Sequence, residues 1–132
     1  GMDIALCIID KTSNKLQFSG AYNSLYMVRN AELIEFKAIR NPVGVHMKEL
    51  PFQNEVIDCQ PNDQFYIFSD GYADQVGGSS QQKFKIVEFR KLIHSISNLP
   101  MNEQASKLES TVQIWKGNAD QTDDMLVVGF KM

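Results

Sequence analysis

Hydrophobic and polar positions alternate over short stretches through the first half of the chain, a pattern typical of strands with one buried face. Six segments fit it: residues 3–10, 16–19, 25–29, 32–38, 53–59 and 64–69. Gly20 is predicted to break the second strand, and Asn30–Ala31 to join the next two. We expect neighbouring strands to pair as an antiparallel meander, including a pair across the turn at Pro61–Asp63.

The spacing of apolar residues changes from strand-like to helical after residue 85. One face of a first helix carries Ile86, Phe89, Ile93 and Ile96. Pro100 suits the start of a second helix, and Gly117 suits its end. The apolar stripe of this second helix consists of Ala105, Leu108, Val112 and Trp115. A final strand is predicted at residues 125–131, and residues 77–80 are predicted to form a flexible loop.

Strands followed by two helices and a last strand predict an α+β fold. In this fold, two helices pack on one face of antiparallel β-sheets. A length of 132 residues suits a single domain or part of one, and no composition change marks a boundary within residues 1–132.

Composition and charge argue against several classes of function. The net charge is −3, and no basic stripe with interleaved aromatic residues exists to bind nucleic acid. No apolar run reaches the roughly 20 residues that span a membrane. Cys7 and Cys59 form no Cys-x-x-Cys pair, and with His46 and His94 they supply too few ligands for zinc. We therefore expect reduced thiols and a cytoplasmic location.

Acidic residues stand at the tips of two very apolar strands. Asp70 and Gly71 end one strand, and Asp123 and Asp124 precede the last. If these strands lie antiparallel in one sheet, Asp70 and Asp123 meet at the same sheet edge. Two close carboxylates repel unless a cation neutralises them, and Mg²⁺ and Mn²⁺ prefer such oxygen ligands. Gly71 would let the backbone approach the ion or substrate closely.

A simpler interpretation exists for each acidic segment alone. Asp70–Gly71 is also typical of an ordinary turn, and paired acids such as Asp123–Asp124 often solvate a loop. The matched placement of the two segments at strand tips is what favours a metal site.

The same segments resemble a known family. Ser69 to Asp74 and Asp123 to Val128 are similar to signatures of metal-dependent serine/threonine protein phosphatases of the protein phosphatase 2C (PP2C) superfamily. The similarity is to its bacterial stage II sporulation protein E-like branch. Weaker similarities follow in the family's order: residues 3–6, 18–26, 41–45, 100–104 and 115–117.

The resemblance implies a four-layer αββα sandwich, of which this chain forms part, and a site with two Mn²⁺ or Mg²⁺ ions. Asp70 and Asp123 would be metal ligands, and Gly71, Asp124 and Asp74 would support them. A bridging water, activated by the ions, would attack the phosphorus, so no protein nucleophile is required.

The resemblance covers only the second half of the family's domain. The family's Asp-x-x-Gly-His-Gly-like segment, which helps bind the metals, does not occur in this sequence. We therefore expect the C-terminal portion of a phosphatase domain whose N-terminal part is missing, with little activity by itself. The parent protein would hydrolyse phosphoserine or phosphothreonine in a bacterial signalling protein.

The implied partners are a phosphorylated protein substrate and upstream sensory or regulatory domains in the parent chain. Strand edges left without neighbours also favour a homo-oligomer. The alternative is a non-catalytic regulatory or protein-binding module of degenerate phosphatase fold, which the missing ligands favour.

Overall fold

A computed structural model describes all 132 residues of the chain. The chain divides into two units, which are described separately. Unit 1 comprises residues 1–68 and 128–132, and unit 2 comprises residues 69–127.

Unit 1 is built from the strands of two antiparallel sheets. The three-stranded sheet has the order β1–β2–β5 and the four-stranded sheet the order β4–β3–β6–β9. The strands are β1 (Ile4–Asp10), β2 (Lys15–Ala21), β3 (Leu25–Arg29), β4 (Glu32–Phe36), β5 (Glu55–Asp58), β6 (Gln64–Phe68) and β9 (Val127–Lys131).

Alternate residues of these strands form a core to which both sheets contribute. The buried members are Leu16, Phe18, Leu25, Met27, Ile57 and Phe65. Phe65 also stacks on Phe130, with ring centroids 5.4 Å apart. Burying one such side chain contributes roughly 1.5–3 kcal/mol, which explains why the alternation in sequence so readily predicts these strands.

Two predictions about the strands are wrong. The continuous meander does not form, because β2 and β3 lie in different sheets, as do β4 and β5. β5 pairs with β2 and β6 pairs with β3, so the segments flanking Pro61–Asp63 also lie in different sheets. β2 also continues through Gly20 to Ala21, opposite β1. A Cβ at Gly20 would lie 2.4 Å from the Asn23 carbonyl oxygen, so this glycine permits close packing instead of ending the strand.

A tight turn at Asn30–Ala31 joins β3 to β4, as the sequence predicted. Arg29 pairs with Glu32 across it, which leaves a two-residue loop. Both loop residues have left-handed backbone, with φ of 50° at Asn30 and 62° at Ala31. This geometry matches the right-handed twist of the strands, but it is unfavourable for alanine.

Unit 2 contains the helices and a small hairpin. Its elements are α1 (Gly71–Asp74), β7 (Val76–Gly77), β8 (Gln82–Lys83), α2 (Ile86–Ile96) and α3 (Met101–Lys116). Both predicted helices are confirmed, and α3 ends at Gly117 with a φ of 57°. The predicted loop at 77–80 is wrong in part, because Gly77 pairs with Gln82. The short helix α1 was not predicted.

The buried faces of the two long helices differ from each other in character. α2 buries Phe89, Ile93 and Ile96, as its apolar face predicted, whereas Ile86 at its first position is exposed. On α3, Ala105 is exposed, whereas the neighbouring Gln104 is buried and donates a 2.9 Å hydrogen bond to the Leu99 carbonyl. The predicted stripe on α3 is therefore wrong at Ala105.

The predicted α+β class with antiparallel sheets is confirmed by these elements. None of the three helices combines the length and the apolar character that crossing a bilayer requires.

Candidate metal centre

Three hydrogen bonds, here called the Ser69 clamp, join the segment after β6 to the segment before β9. The Ser69 amide donates to the Leu126 carbonyl at 3.0 Å, and the Ser69 hydroxyl donates to the Asp124 carbonyl at 3.1 Å. The Leu126 amide in turn donates to the Ser69 hydroxyl oxygen at 3.0 Å. The clamp brings the backbones of the two acidic segments side by side.

Gly71 allows the two acidic segments to approach each other closely. A Cβ at this position would lie 2.1 Å from the Asp124 carbonyl oxygen, which is closer than any side chain tolerates. Gly71 is buried although Asp70 beside it is exposed. The two acidic segments therefore meet at backbone level and leave the carboxylate of Asp70 to face solvent.

The predicted ligands Asp70 and Asp123 are both exposed. Asp70 precedes α1, and its carboxylate makes no capping hydrogen bond to that helix. Asp123 Oδ1 accepts a 2.7 Å hydrogen bond from the Asp124 amide, which leaves other lone pairs of the carboxylate open. Both side chains therefore present oxygen atoms that a hard cation can bind.

Asp124 and Asp74, two of the predicted supporting residues, make different contacts. Asp124 is exposed, and its backbone carbonyl accepts the bond from Ser69. Asp74 lies at the end of α1 and forms an ion pair with Lys83, at 3.2 Å, so its carboxylate ties α1 to β8. Asp74 therefore links the segment that follows Asp70 to the small hairpin.

The donor set fits Mg²⁺ or Mn²⁺ only as part of a coordination shell. Such ions keep several waters and accept one or two carboxylates from a protein. No three histidine, cysteine, aspartate or glutamate side chains come together as a metal-binding group in this chain. Asp70 and Asp123 as metal ligands, and the two-ion centre, thus remain predictions.

A buried glutamine beside the acidic segments was missed in the sequence. Gln75 follows α1 and is completely inaccessible to solvent. Its side-chain amide donates to the Asp120 carbonyl at 2.9 Å and accepts from the Thr122 amide at 3.0 Å. No periodicity marks such a residue; the only sequence signal is a polar side chain shortly before a glycine pair.

The cysteines and histidines offer no competing nucleophile or metal site. Cys7 and Cys59 are unpaired thiols, and burial raises the pKa of Cys7 to about 11. Burial, followed by the nearby Asp63 carboxylate, also raises the pKa of Cys59. Such thiols stay protonated near neutral pH and are poor nucleophiles. His46 and His94 are exposed.

Comparison with known proteins connects this arrangement to a family. All of residues 1–132 match the family model described as stage II sporulation protein E (SpoIIE). No curated protein matches the sequence.

Solved structures share the fold. The SiaA-PP2C domain of Pseudomonas aeruginosa matches with a TM-score of 0.89 and 28% identity, over 98% of this chain and 51% of that one. The phosphatase domain of the cell fate determinant SpoIIE from Bacillus subtilis matches with a TM-score of 0.68 and 19% identity, over 98% and 57%.

The Mycobacterium tuberculosis serine/threonine phosphatase PstP/Ppp matches with a TM-score of 0.62 and 15% identity, over 96% of this chain and 58% of that one. The chain therefore carries a PP2C-type fold and spans 51–58% of the length of these three structures.

Proposed function

Because this chain belongs to the SpoIIE family, we propose that it forms the C-terminal portion of a PP2C-type phosphatase domain. The parent protein would hydrolyse phosphoserine or phosphothreonine in a bacterial signalling protein. The observation that carries the proposal is the Ser69 clamp, which sets the Asp70 and Asp123 segments side by side at an exposed corner. The phosphatases among the structures of the same fold support this chemistry.

Asp70 and Asp123 would bind Mn²⁺ or Mg²⁺ through their carboxylates, with further ligands from the rest of the parent domain. A structure of the B. subtilis SpoIIE phosphatase domain from a manganese presoak supports this choice of ion. A bound divalent ion supplies charge neutralisation and a water of lowered pKa. In this chain, the clamp and Gly71 fix the spacing of the two segments, and the Asp74–Lys83 ion pair steadies α1.

Partners of the parent protein follow from the same proposal. A phosphorylated protein is the substrate, and regulatory domains in the parent chain control the site. A SpoIIE structure that includes a fragment of the regulatory domain supports the second point. A homo-oligomer stays a prediction: β1 and β5 are the outer strands of their sheet, and outer strands favour pairing with another chain.

The non-catalytic alternative is favoured by one observation, namely that no group of three metal ligands exists within this chain. Two carboxylates alone bind a divalent ion weakly, so we expect little activity from the isolated chain. The two functions therefore have to be distinguished in the parent protein.

The decisive experiment measures Mn²⁺-dependent phosphate release by the parent protein from a phosphoserine peptide. Asp70→Asn removes one ionised ligand, and we expect a loss of at least about 100-fold, because even partners of metal ligands cost about 10–100-fold when removed. Asp120→Asn is the matched control. Its carboxylate is also exposed and lies three residues before Asp123, and its backbone contacts do not involve the side chain.

Turnover like that of the wild type in Asp70→Asn would eliminate Asp70 as an essential ligand. A parent protein that binds the phosphopeptide but releases no phosphate at any Mn²⁺ concentration would establish the non-catalytic module instead.

A further inference from the structure

The side-chain amide of Gln75 is bonded to the segment that precedes Asp123 and to the neighbouring residue Val76. Nε2 donates to the carbonyls of Asp120 and Val76, both at 2.9 Å, and Oε1 accepts from the Thr122 amide at 3.0 Å. The Val76 amide adds a parallel bond to Thr122 Oγ1 at 3.3 Å. Residues 75–76 therefore hold residues 120–122 by three direct hydrogen bonds.

The backbone of Gln75 is held by further hydrogen bonds. Its carbonyl accepts hydrogen bonds from the Trp115 indole N–H and from the Phe84 amide, both at 2.9 Å. The Trp115 carbonyl also accepts from the Gly78 amide at 2.9 Å. Gln75 is thus anchored to the end of α3 and to the residue directly after β8, so the bonds made by its side chain begin from a fixed position.

The positions of these bonds connect Gln75 to the candidate metal ligands. α1, which ends immediately before Gln75, begins directly after Asp70, and Thr122 directly precedes Asp123. We propose that Gln75 is a positioning residue that holds the Asp123 segment in register with Asp70 and thereby sets the affinity of this corner for divalent cations. This inference rests on the proposed function, because it takes Asp70 and Asp123 as the ligands.

Only an amide suits the surroundings of this side chain. Two carbonyl oxygens face its nitrogen and one N–H faces its oxygen, so both donors and one acceptor are used. Glutamate at this position would oppose two carbonyls with acceptor oxygens and would place a charge where no solvent reaches. Methionine would fill a similar volume and remove all three bonds without adding charge.

The test compares Gln75→Met with the wild type in the parent protein. Mn²⁺ affinity is measured by electron paramagnetic resonance of the free ion, and independently as the Mn²⁺ concentration that gives half-maximal phosphate release. We expect both to weaken by about 10–100-fold, the usual cost of removing a residue that orients a metal ligand. The maximal rate at saturating Mn²⁺ should fall much less, because the bound ion itself then orders the carboxylates.

Gln104→Met is the matched control. Gln104 is also a buried glutamine of unit 2, but its amide binds the carbonyls of Leu99 and Ser97, between α2 and α3. This variant loses comparable hydrogen bonds, so it should lower the thermal stability without changing the Mn²⁺ affinity. Thr122→Val alters an exposed residue, removes only the bond from the Val76 amide, and should weaken Mn²⁺ binding in the same direction by a few-fold.

If Gln75→Met fails to fold, Thr122→Val decides the outcome. Mn²⁺ affinity unchanged in both variants, or reduced equally in Gln104→Met, would overturn the positioning role. That result would leave the proposed function intact if Asp123→Asn still abolishes Mn²⁺ binding. Wild-type Mn²⁺ affinity in both Asp70→Asn and Asp123→Asn would instead overturn the ligand assignment and the role of Gln75 with it.

Discussion

The core of unit 1 and the acidic corner of unit 2 are held by different forces. In unit 1, apolar side chains from two sheets bury one another, as at Phe18, Met27 and Phe65. In unit 2, the corner is held by hydrogen bonds from two polar side chains, Ser69 and Gln75, to backbone groups. Apolar burial has little directional preference, whereas hydrogen bonds weaken steeply with angle and distance.

Because of this difference, the core of unit 1 and the acidic corner of unit 2 should tolerate substitution to different degrees. A core of this kind accepts exchanges that conserve volume at a cost usually below about 1.5 kcal/mol. The corner accepts few exchanges, because each donor and acceptor has one partner at a fixed place. The strand region thus supplies stability, and the polar corner supplies a defined geometry for chemistry.

The largest effect on stability is expected at Phe65, which is fully buried and stacks on Phe130. Phe65→Ala should lower the free energy of unfolding by about 3–5 kcal/mol, since it removes apolar contacts and leaves a cavity. Equilibrium urea unfolding of the parent protein measures this change. A loss below about 1 kcal/mol would show that apolar burial does not dominate the stability of unit 1.

An intermediate effect is expected at a largely buried polar pair of unit 1, Arg29 and Asp63. Asp63 is only 1% exposed and accepts hydrogen bonds from Arg29 at 2.9 and 2.7 Å and from the Gln60 amide at 2.8 Å. Burial acts to raise the pKa of Asp63, but the Arg29 and Gln60 hydrogen bonds outweigh it and lower the pKa. Arg29→Met should therefore cost about 1.5–3 kcal/mol at neutral pH.

The contribution of the Arg29–Asp63 pair to the free energy of unfolding should also depend on pH. A lowered folded-state pKa means that the ionised Asp63 stabilises the fold above about pH 4 and that this contribution is lost as the pH falls through the folded pKa. The difference in unfolding free energy between wild type and Arg29→Met should therefore shrink in acid. Lys15→Met, which removes the exposed Lys15–Asp58 pair, is the control and should change stability little.

A smaller change in stability than for Phe65→Ala or Arg29→Met is expected for Gly71→Ala in the acidic corner. The added methyl group would meet the Asp124 carbonyl, and the corner can open into solvent, so we expect a cost of about 1–2 kcal/mol. Mn²⁺ affinity should nevertheless fall, because the two acidic segments are pushed apart. Gly117→Ala is the control: it has open space and a left-handed backbone, so it loses stability without affecting Mn²⁺ binding. Unchanged affinity in Gly71→Ala would contradict the importance of this contact.

Local patterns were sufficient to predict most elements of the fold. Alternation predicted the strands of unit 1, and helical spacing with Pro100 and Gly117 predicted α2 and α3. Strand partners were harder to predict, because a turn such as Pro61–Asp63 indicates a change of direction but not whether the next strand joins the same sheet. That choice depends on which apolar faces meet, which is a property of the whole unit.

The candidate site was predictable only at its most conspicuous residues. Asp70 and Asp123 were noticed because carboxylates at strand tips are chemically informative. Gln75 was missed because its role comes from bonds to residues more than 40 positions away, at Asp120 and Thr122. Hydrogen bonds to backbone groups so distant along the chain produce no periodic pattern in the sequence.

The turn between β3 and β4 shows that stability has not been maximised everywhere in this chain. Ala31 occupies a left-handed conformation that glycine adopts without strain, so the chain carries an avoidable penalty at an exposed corner. A protein engineer seeking a sturdier version for crystallisation or assay could begin at this position, where a change would leave the acidic corner and its bonding pattern as they are.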